Sequence, residues 1–154
     1  MKKEEAILNF WNTFLIETNR DTSLTYNDSW CFGHTEELAS ELLELVLKGT
    51  KKATATSQYA FEAENQPLPK VGDLNIVTDW NGTPYCVIKT TSVMVLPFKD
   101  MTFDICKREG EDDNLESWQE GHIRFFTADG EATGYQFTWD MPVVFEDFEV
   151  VYSV

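Results

Sequence analysis

Apolar residues recur at helical spacing in two stretches near the start of the chain. In the first, Phe10 and Phe14 lie one helical turn apart, with further apolar residues beside them on the same face. In the second, a run of leucines follows Thr35, whose hydroxyl can accept a hydrogen bond from a free amide at a helix start. The pattern therefore predicts amphipathic helices over residues 4–18 and 35–48.

Later stretches are typical of strands, because they are rich in β-branched and aromatic residues and some alternate between apolar and polar positions. Asn81-Gly82 lies between two of these stretches, and this dipeptide favours the tight turn of a β-hairpin. The predicted strands cover residues 53–61, 74–79, 84–96 and 142–154. We expect the hairpin around Asn81-Gly82 to lie at the centre of the fold.

Two further helices are predicted in the C-terminal half. A short helix falls within residues 98–109, and Asn114 can cap a longer helix that begins just after it. The longer helix places Trp118 and His122 one turn apart on one face. Strands separated by a few helices predict an α+β fold, with a small closed β-barrel and peripheral helices.

The length of 154 residues suits one domain with a substantial core. We expect residues 1–24 to form a helix that packs on a single globular unit of residues 25–154. The chain contains 12 basic and 27 acidic residues, so its formal charge is 12 − 27 = −15. Because a phosphate backbone repels a protein of this sign, high-affinity RNA binding is disfavoured, whereas a small ligand is less affected.

The thiols give no sign of a disulfide framework or a zinc site. Cys31, Cys86 and Cys106 are scattered, their number is odd, and no CxxC pair occurs. The N-terminus continues into an amphipathic helix rather than an apolar secretory segment, and no apolar run is long enough for a membrane span. We expect a cytoplasmic protein with no membrane partner, no cofactor and no bound metal. Its oligomeric state does not follow from the sequence.

The residues between the second helix and the first strand carry candidate chemistry. Gly49 can end the helix, and Lys51 and Thr54 follow at the junction. A desolvated lysine can act as a base, and a nearby threonine hydroxyl can act as a nucleophile. The alternative is structural, because lysine complements the negative end of a helix dipole and threonine is an ordinary strand residue.

Four segments together resemble the ASCH domain, a branch of the PUA-like barrels. Gly49, Lys51 and Thr54 match its Gly-x-Lys-x-x-Thr motif after an apolar helix. The other three segments are Trp30-Cys31-Phe32-Gly33, Leu68-Pro69-Lys70-Val71-Gly72-Asp73, and the acidic and aromatic run from Glu109 through Trp118 and His122 to Phe126. The resemblance covers about residues 25–150, with departures at Asp112, where relatives often carry glycine, and at Lys52, where they often carry threonine.

The resemblance implies a PUA-like fold and a possible activity. Some ASCH proteins are amidohydrolases that remove an acyl group from the exocyclic nitrogen of cytidine, as in N4-acetylcytidine. Carried over by motif, the catalytic residues are Lys51 as base, Thr54 as nucleophile and Glu109 as the acid, with Glu111 as the alternative acid. The predicted partner is a small nucleoside-like ligand, and the substrate-binding candidates are Trp30, Phe32, Lys52, Glu111, Trp118 and His122.

Two other functions remain open on the same residues. The first is an RNA-binding module, which could have metal-dependent ribonuclease activity because the acidic run contains clustered carboxylates. The second is a domain that binds a nucleoside or another ligand without catalysis. The aromatic candidates also have a structural interpretation as core residues, and the acidic run has one as a solvated helix start.

Overall fold

The computed structural model describes residues 2–154, and the predicted α+β class is confirmed. The chain forms two compact units. The first comprises Met1–Thr50, Gly72–Thr90 and Phe148–Val154, and the second comprises Lys51–Val71 and Thr91–Asp147. The strands follow the hydrogen-bonded order β1-β3-β4-β5-β2. They are β1 (Asp28–Trp30), β2 (Ala53–Ser57), β3 (Leu74–Thr78), β4 (Pro84–Pro97) and β5 (Pro142–Ser153).

Most of the helices lie where the sequence predicts them. The α-helices are α1 (Lys3–Glu17), α2 (Glu36–Leu47), α3 (Gln58–Ala63), α4 (Phe103–Cys106) and α5 (Leu115–Thr133). Thr35 caps α2 by accepting a hydrogen bond from the Leu38 amide at 3.1 Å, and Asn114 caps α5 by accepting one from the Ser117 amide at 2.8 Å. The predicted short helix becomes α4 with a 3₁₀ turn on either side, Phe98–Asp100 and Lys107–Glu109.

The first unit is built on both faces of β3. This strand pairs with β1 in parallel and with β4 in antiparallel register, and all of its residues are buried. Ile76 packs against α1 on one face, whereas the adjacent Val77 packs with α2 residues on the other, because successive strand side chains point to opposite faces. Trp11 also donates from Nε1 to the Leu24 carbonyl at 2.9 Å, which ties α1 to the loop that follows it.

The second unit has one apolar cluster in which small and large side chains meet. Strand β2 pairs with β5 in antiparallel register, and its Ala53 and Ala55 face the cluster. Trp118 and Phe126 of α5 are fully buried in it, beside Phe98. The small side chains of β2 and the large rings of α5 thus belong to the same apolar cluster.

One local prediction was wrong, and one short strand was missed. The strand predicted over residues 53–61 ends at Ser57, because the Ser57 hydroxyl accepts a hydrogen bond from the Tyr59 amide and starts α3. Strand β1 was not predicted, since three residues are too short to show a period and their backbone pairs with the distant β3.

Candidate active site

Lys51 is a buried cation at the junction between α2 and β2. Gly49, with a φ of 79°, turns the chain at the end of α2, and Lys51 follows just before β2. The Lys51 side chain is 2 % exposed. Its Nζ donates to the Ala53 carbonyl at 2.9 Å, to Glu109 Oε1 at 3.4 Å and to Glu111 Oε2 at 2.5 Å. An ammonium has three N–H donors, so these acceptors match its full donor capacity.

The two carboxylates reach Lys51 because the chain turns sharply between them. The 3₁₀ turn that ends at Glu109 is followed by Gly110 in the left-handed conformation, at a φ of 72°. This conformation strains residues with a Cβ, and it aims the side chains before and after the glycine at one point. The Lys52 amide donates to the Arg108 carbonyl at 3.0 Å and holds the turn beside the start of β2.

Two residues of α5 complete the cluster by binding Glu109. Trp118 donates from Nε1 to Glu109 Oε2, and His122 Nε2 lies 3.2 Å from the same oxygen. His122 Nδ1 lies 2.9 Å from the Trp118 carbonyl, so both ring nitrogens face acceptors. Because two acceptors require two N–H donors, the geometry fits the imidazolium form of His122. We call Lys51, Glu109, Glu111, Trp118 and His122 the Lys51 cluster.

The two carboxylates of the Lys51 cluster differ in their environment. Burial raises the pKa of Glu109, but the charges of Lys51 and His122 and the hydrogen bonds from His122 and Trp118 outweigh it, and the pKa falls to about 2. Burial also raises the pKa of Glu111, and there the charge of Glu109 adds to it, so that Lys51 does not offset the rise. The Glu111 side chain is 22 % exposed, against 3 % for Glu109. Of the two carboxyl groups, Glu111 is therefore the more accessible one and the one whose protonated form is favoured.

His122 balances the charge of the Lys51 cluster. Burial would lower the pKa of His122, but the carboxylates of Glu109 and Glu111 and the Trp118 carbonyl raise it above its ordinary value. Its ring stacks on that of Trp118, with the centroids 4.1 Å apart and the planes inclined by 18°. With His122 protonated, two cations face two carboxylates, and the buried charges cancel.

The structure does not bring every predicted site residue into this cluster. Thr54 is half-buried and lies on the face of β2 opposite to Ala53 and Ala55, and Lys52 is exposed. Trp30 and Phe32 belong to the first unit, where their rings pack edge to face at 4.7 Å. The roles of these four residues in catalysis or binding stay predictions.

Glu146 is a buried carboxylate that the sequence analysis missed. It lies directly opposite Thr54 in the pairing of β2 with β5, so both side chains point to the same face of the sheet. Glu146 is 8 % exposed. The available signal was the acidic pair Glu146-Asp147 inside an otherwise apolar strand segment, because buried strands seldom contain acidic residues.

Two features of residues 2–154 bear on the predicted partners. Within this range, no group of three or more His, Cys, Asp and Glu side chains is arranged to hold a metal ion. The positive charge between Glu109 and Glu111 is the Lys51 ammonium. As for membranes, none of the helices in this range combines the length and the apolar character that a span requires.

Comparisons with known proteins identify the family. The model of the ASCH domain matches residues 28–152. A crystal structure of a protein from Enterococcus faecalis V583 is 33% identical, with a TM-score of 0.88 over 96% of this chain and 88% of that one. The ASCH domain from Lactobacillus crispatus JV V101 is 34% identical, with a TM-score of 0.86 over 96% and 95% of the two chains. The comparison with curated sequences finds no match. The chain therefore belongs to the ASCH domain family and has its PUA-like fold.

Proposed function

We propose that this protein is an amidohydrolase that removes the acyl group from an N-acylated nucleoside of the N4-acetylcytidine type, at the Lys51 cluster. The observation that supports the proposal most strongly is the buried Lys51 ammonium, held by one sealed carboxylate and one partly exposed carboxylate. Charged groups are expensive to bury, and an apolar set of similar volume would often be as stable. Buried carboxyl groups with shifted pKa values, such as Glu109 and Glu111, cluster at functional sites.

The geometry gives each member of the Lys51 cluster a role in amide hydrolysis. Lys51 is the electrophile: its ammonium donates to the acyl oxygen, where negative charge develops in the transition state. Glu111 is the proton carrier, because its side chain is partly exposed and its pKa is raised. It accepts a proton from the attacking nucleophile and delivers one to the leaving amine.

Glu109 orients the other groups in this scheme. It accepts hydrogen bonds from Lys51 and Trp118 and pairs with His122, and its low pKa keeps it ionised throughout. The assignment of the acid therefore moves from Glu109 to Glu111, which the sequence left as the alternative. A fixed anion at Glu109 keeps the Lys51 side chain in position while Glu111 changes its protonation state.

The nucleophile that we favour is a water molecule. The Thr54 hydroxyl lies on the β2 face opposite to Ala53, whereas Lys51 Nζ binds the Ala53 carbonyl and the two carboxylates. A water can approach beside the partly exposed Glu111 side chain, which is the accessible edge of the Lys51 cluster. The motif-based hypothesis of a Thr54 nucleophile predicts a different result when its hydroxyl is removed, so one variant separates the two.

The test is hydrolysis of N4-acetylcytidine by the purified protein and four variants. We expect turnover by the wild type, a loss of about 10²–10⁴-fold in kcat for Glu111→Gln, and a larger loss for Lys51→Met. Thr54→Val keeps activity if water attacks and loses it if Thr54 attacks. Glu120→Gln removes an exposed carboxylate from α5 and serves as the matched control. Absence of turnover by the folded wild type, with or without a chelator, would reject this function.

A competing function, RNA binding, is tested in parallel by titration at two salt concentrations. The charge of −15 disfavours it. We expect any RNA affinity to be weak and to disappear as salt rises. Tight binding that persists at high salt, together with no hydrolysis, would replace the amidohydrolase proposal by an RNA-binding one.

A further inference from the structure

The hydrogen bonds of Lys51 raise a question about how a ligand could use this residue. The Nζ already donates to the Ala53 carbonyl, Glu109 and Glu111, which matches its three N–H groups. An arriving acyl oxygen can gain a hydrogen bond from Lys51 only if one of these acceptors leaves.

The three acceptors differ in how firmly they are held. The Ala53 carbonyl belongs to the backbone of β2, which is paired with β5 at this position. Glu109 is held by Trp118 and His122 in addition to Lys51. The Glu111 carboxylate, by contrast, has its hydrogen bond to Lys51, and its side chain is 22 % exposed, so it has room to move toward solvent.

We propose that Glu111 is an internal ligand of Lys51, and that a small carboxylate or an acyl oxygen binds in its place when Glu111 swings away. The site is built from a buried ammonium, whose other acceptors stay fixed, and from the space that the Glu111 carboxylate occupies. The inference rests on the proposed function only for the identity of the natural acyl ligand. The site itself is a property of the described side chains.

An internal ligand lowers the apparent affinity of an external one, because the two compete for the same donor. It also keeps the buried ammonium paired while no substrate is present, which avoids leaving a charge without a partner. Glu111 would then alternate between two states: bound to Lys51 in the free protein, and released to carry protons once the acyl oxygen has taken its place.

The experiment is rescue of Glu111→Ala by acetate, followed through the thermal unfolding midpoint. Acetate reproduces the missing carboxylate, and chloride at the same ionic strength is the reference at pH 7.5. A ligand that binds only the folded state raises Tm by mass action. We expect a saturable rise in Tm of about 2–4 °C for Glu111→Ala at about five times the acetate Kd, and no such rise for the wild type.

Two further variants keep the test decisive. Glu120→Ala loses an exposed carboxylate on α5 and should show no acetate-specific rise, which separates site binding from a general salt effect. Glu111→Ser replaces Glu111→Ala if the alanine variant does not fold, because its small side chain also vacates the site. A rise that is equal in all proteins, or no rise in either Glu111 variant, overturns the proposal.

The outcomes also separate this inference from the proposed function, because acetate binding requires no chemistry. Rescue by acetate without hydrolysis of N4-acetylcytidine supports the acceptor site and rejects the amidohydrolase. Hydrolysis without rescue supports the enzyme and rejects Glu111 as a displaceable ligand.

Discussion

The two units of the molecule bury different kinds of polar residue. In the first, the buried polar residues Asn75, Thr78 and Thr90 are all neutral. In the second, the buried residues include one basic residue, Lys51, and two acidic residues, Glu109 and Glu146. Both units also contain apolar clusters with large aromatic rings. Both units therefore form their cores from apolar side chains, but within residues 2–154 the acidic and basic residues that are buried as whole side chains belong to the second unit.

This difference distinguishes residues that stabilise the fold from residues for which we propose a role in catalysis. Neutral polar groups in a strand satisfy their hydrogen bonds at little cost, and the clusters around α1 and α2 stabilise the first unit through apolar burial. Buried charges are weak sources of stability, since desolvation offsets most of their attraction. The placement of these groups in the second unit therefore agrees with the function that we propose for the Lys51 cluster.

The largest expected effect is the loss of the central cation. Lys51→Met removes the partner of Glu109 and Glu111 and leaves two carboxylates near each other in a largely buried place. We expect the free energy of unfolding to fall by about 3–5 kcal/mol, as measured by urea denaturation. Ile76→Val is the comparison in the first unit, where a shortened apolar side chain should cost about 0.5–1.5 kcal/mol.

A companion variant shows whether charge causes the loss. Lys51→Met combined with Glu109→Gln and Glu111→Gln removes the unpaired charges, and it should recover part of the lost stability. If Lys51→Met were as mild as Ile76→Val, or if the triple variant were less stable than the single one, the contrast between the units would not hold.

A smaller effect is expected from pH. Because the pKa of His122 is raised on folding, its stabilisation is present below its ordinary pKa of about 6.5 and is lost as the pH rises through the folded value. The pKa of Glu109 is lowered to about 2 in the folded protein. Its stabilisation is therefore present above its ordinary pKa of about 4.5 and is lost as the pH falls from there through about 2. The pKa of Glu111 is raised, so its effect has the opposite sign: ionisation of Glu111 with rising pH lowers the stability, whereas ionisation of Glu109 raises it.

The measurement is urea unfolding at pH 5.5 and pH 8.5. We expect the wild type to lose more stability between these values than His122→Gln, whose amide can still donate to Glu109 but does not titrate. The matched variant His34→Gln replaces the exposed histidine of the first unit. Equal losses in the wild type and in His122→Gln would contradict an imidazolium at this position.

The two units also show which elements can be predicted from the sequence. Local signals sufficed for α1, α2 and α5, for the hairpin at Asn81-Gly82 and for the caps at Thr35 and Asn114, because each depends on neighbours within a few positions. They failed for β1 and for residues 58–61, where a distant strand and a local serine cap decided the structure.

The sequence predicted most residues of the candidate site, but not that their side chains meet around Lys51. The motif pointed to Lys51 and to the Glu109–Glu111 segment, and helical spacing placed Trp118 beside His122. That these groups converge depends on partners 58 and 60 positions from Lys51, and no periodicity carries that information. Likewise, the position of Glu146 opposite Thr54 follows from the pairing of β2 with the distant β5, which local patterns do not show.

The smallest effects come from the two helix caps, one in each unit. Thr35→Ala and Asn114→Ala each remove the acceptor of a first-turn amide, and each should cost about 1 kcal/mol of stability. Only Asn114 caps the helix that carries Trp118 and His122. We therefore expect Asn114→Ala to move the His122 titration toward its ordinary range, as followed by NMR of the imidazole, whereas Thr35→Ala leaves it unchanged. An identical His122 titration in both variants would show that the Lys51 cluster holds α5 in place without its cap.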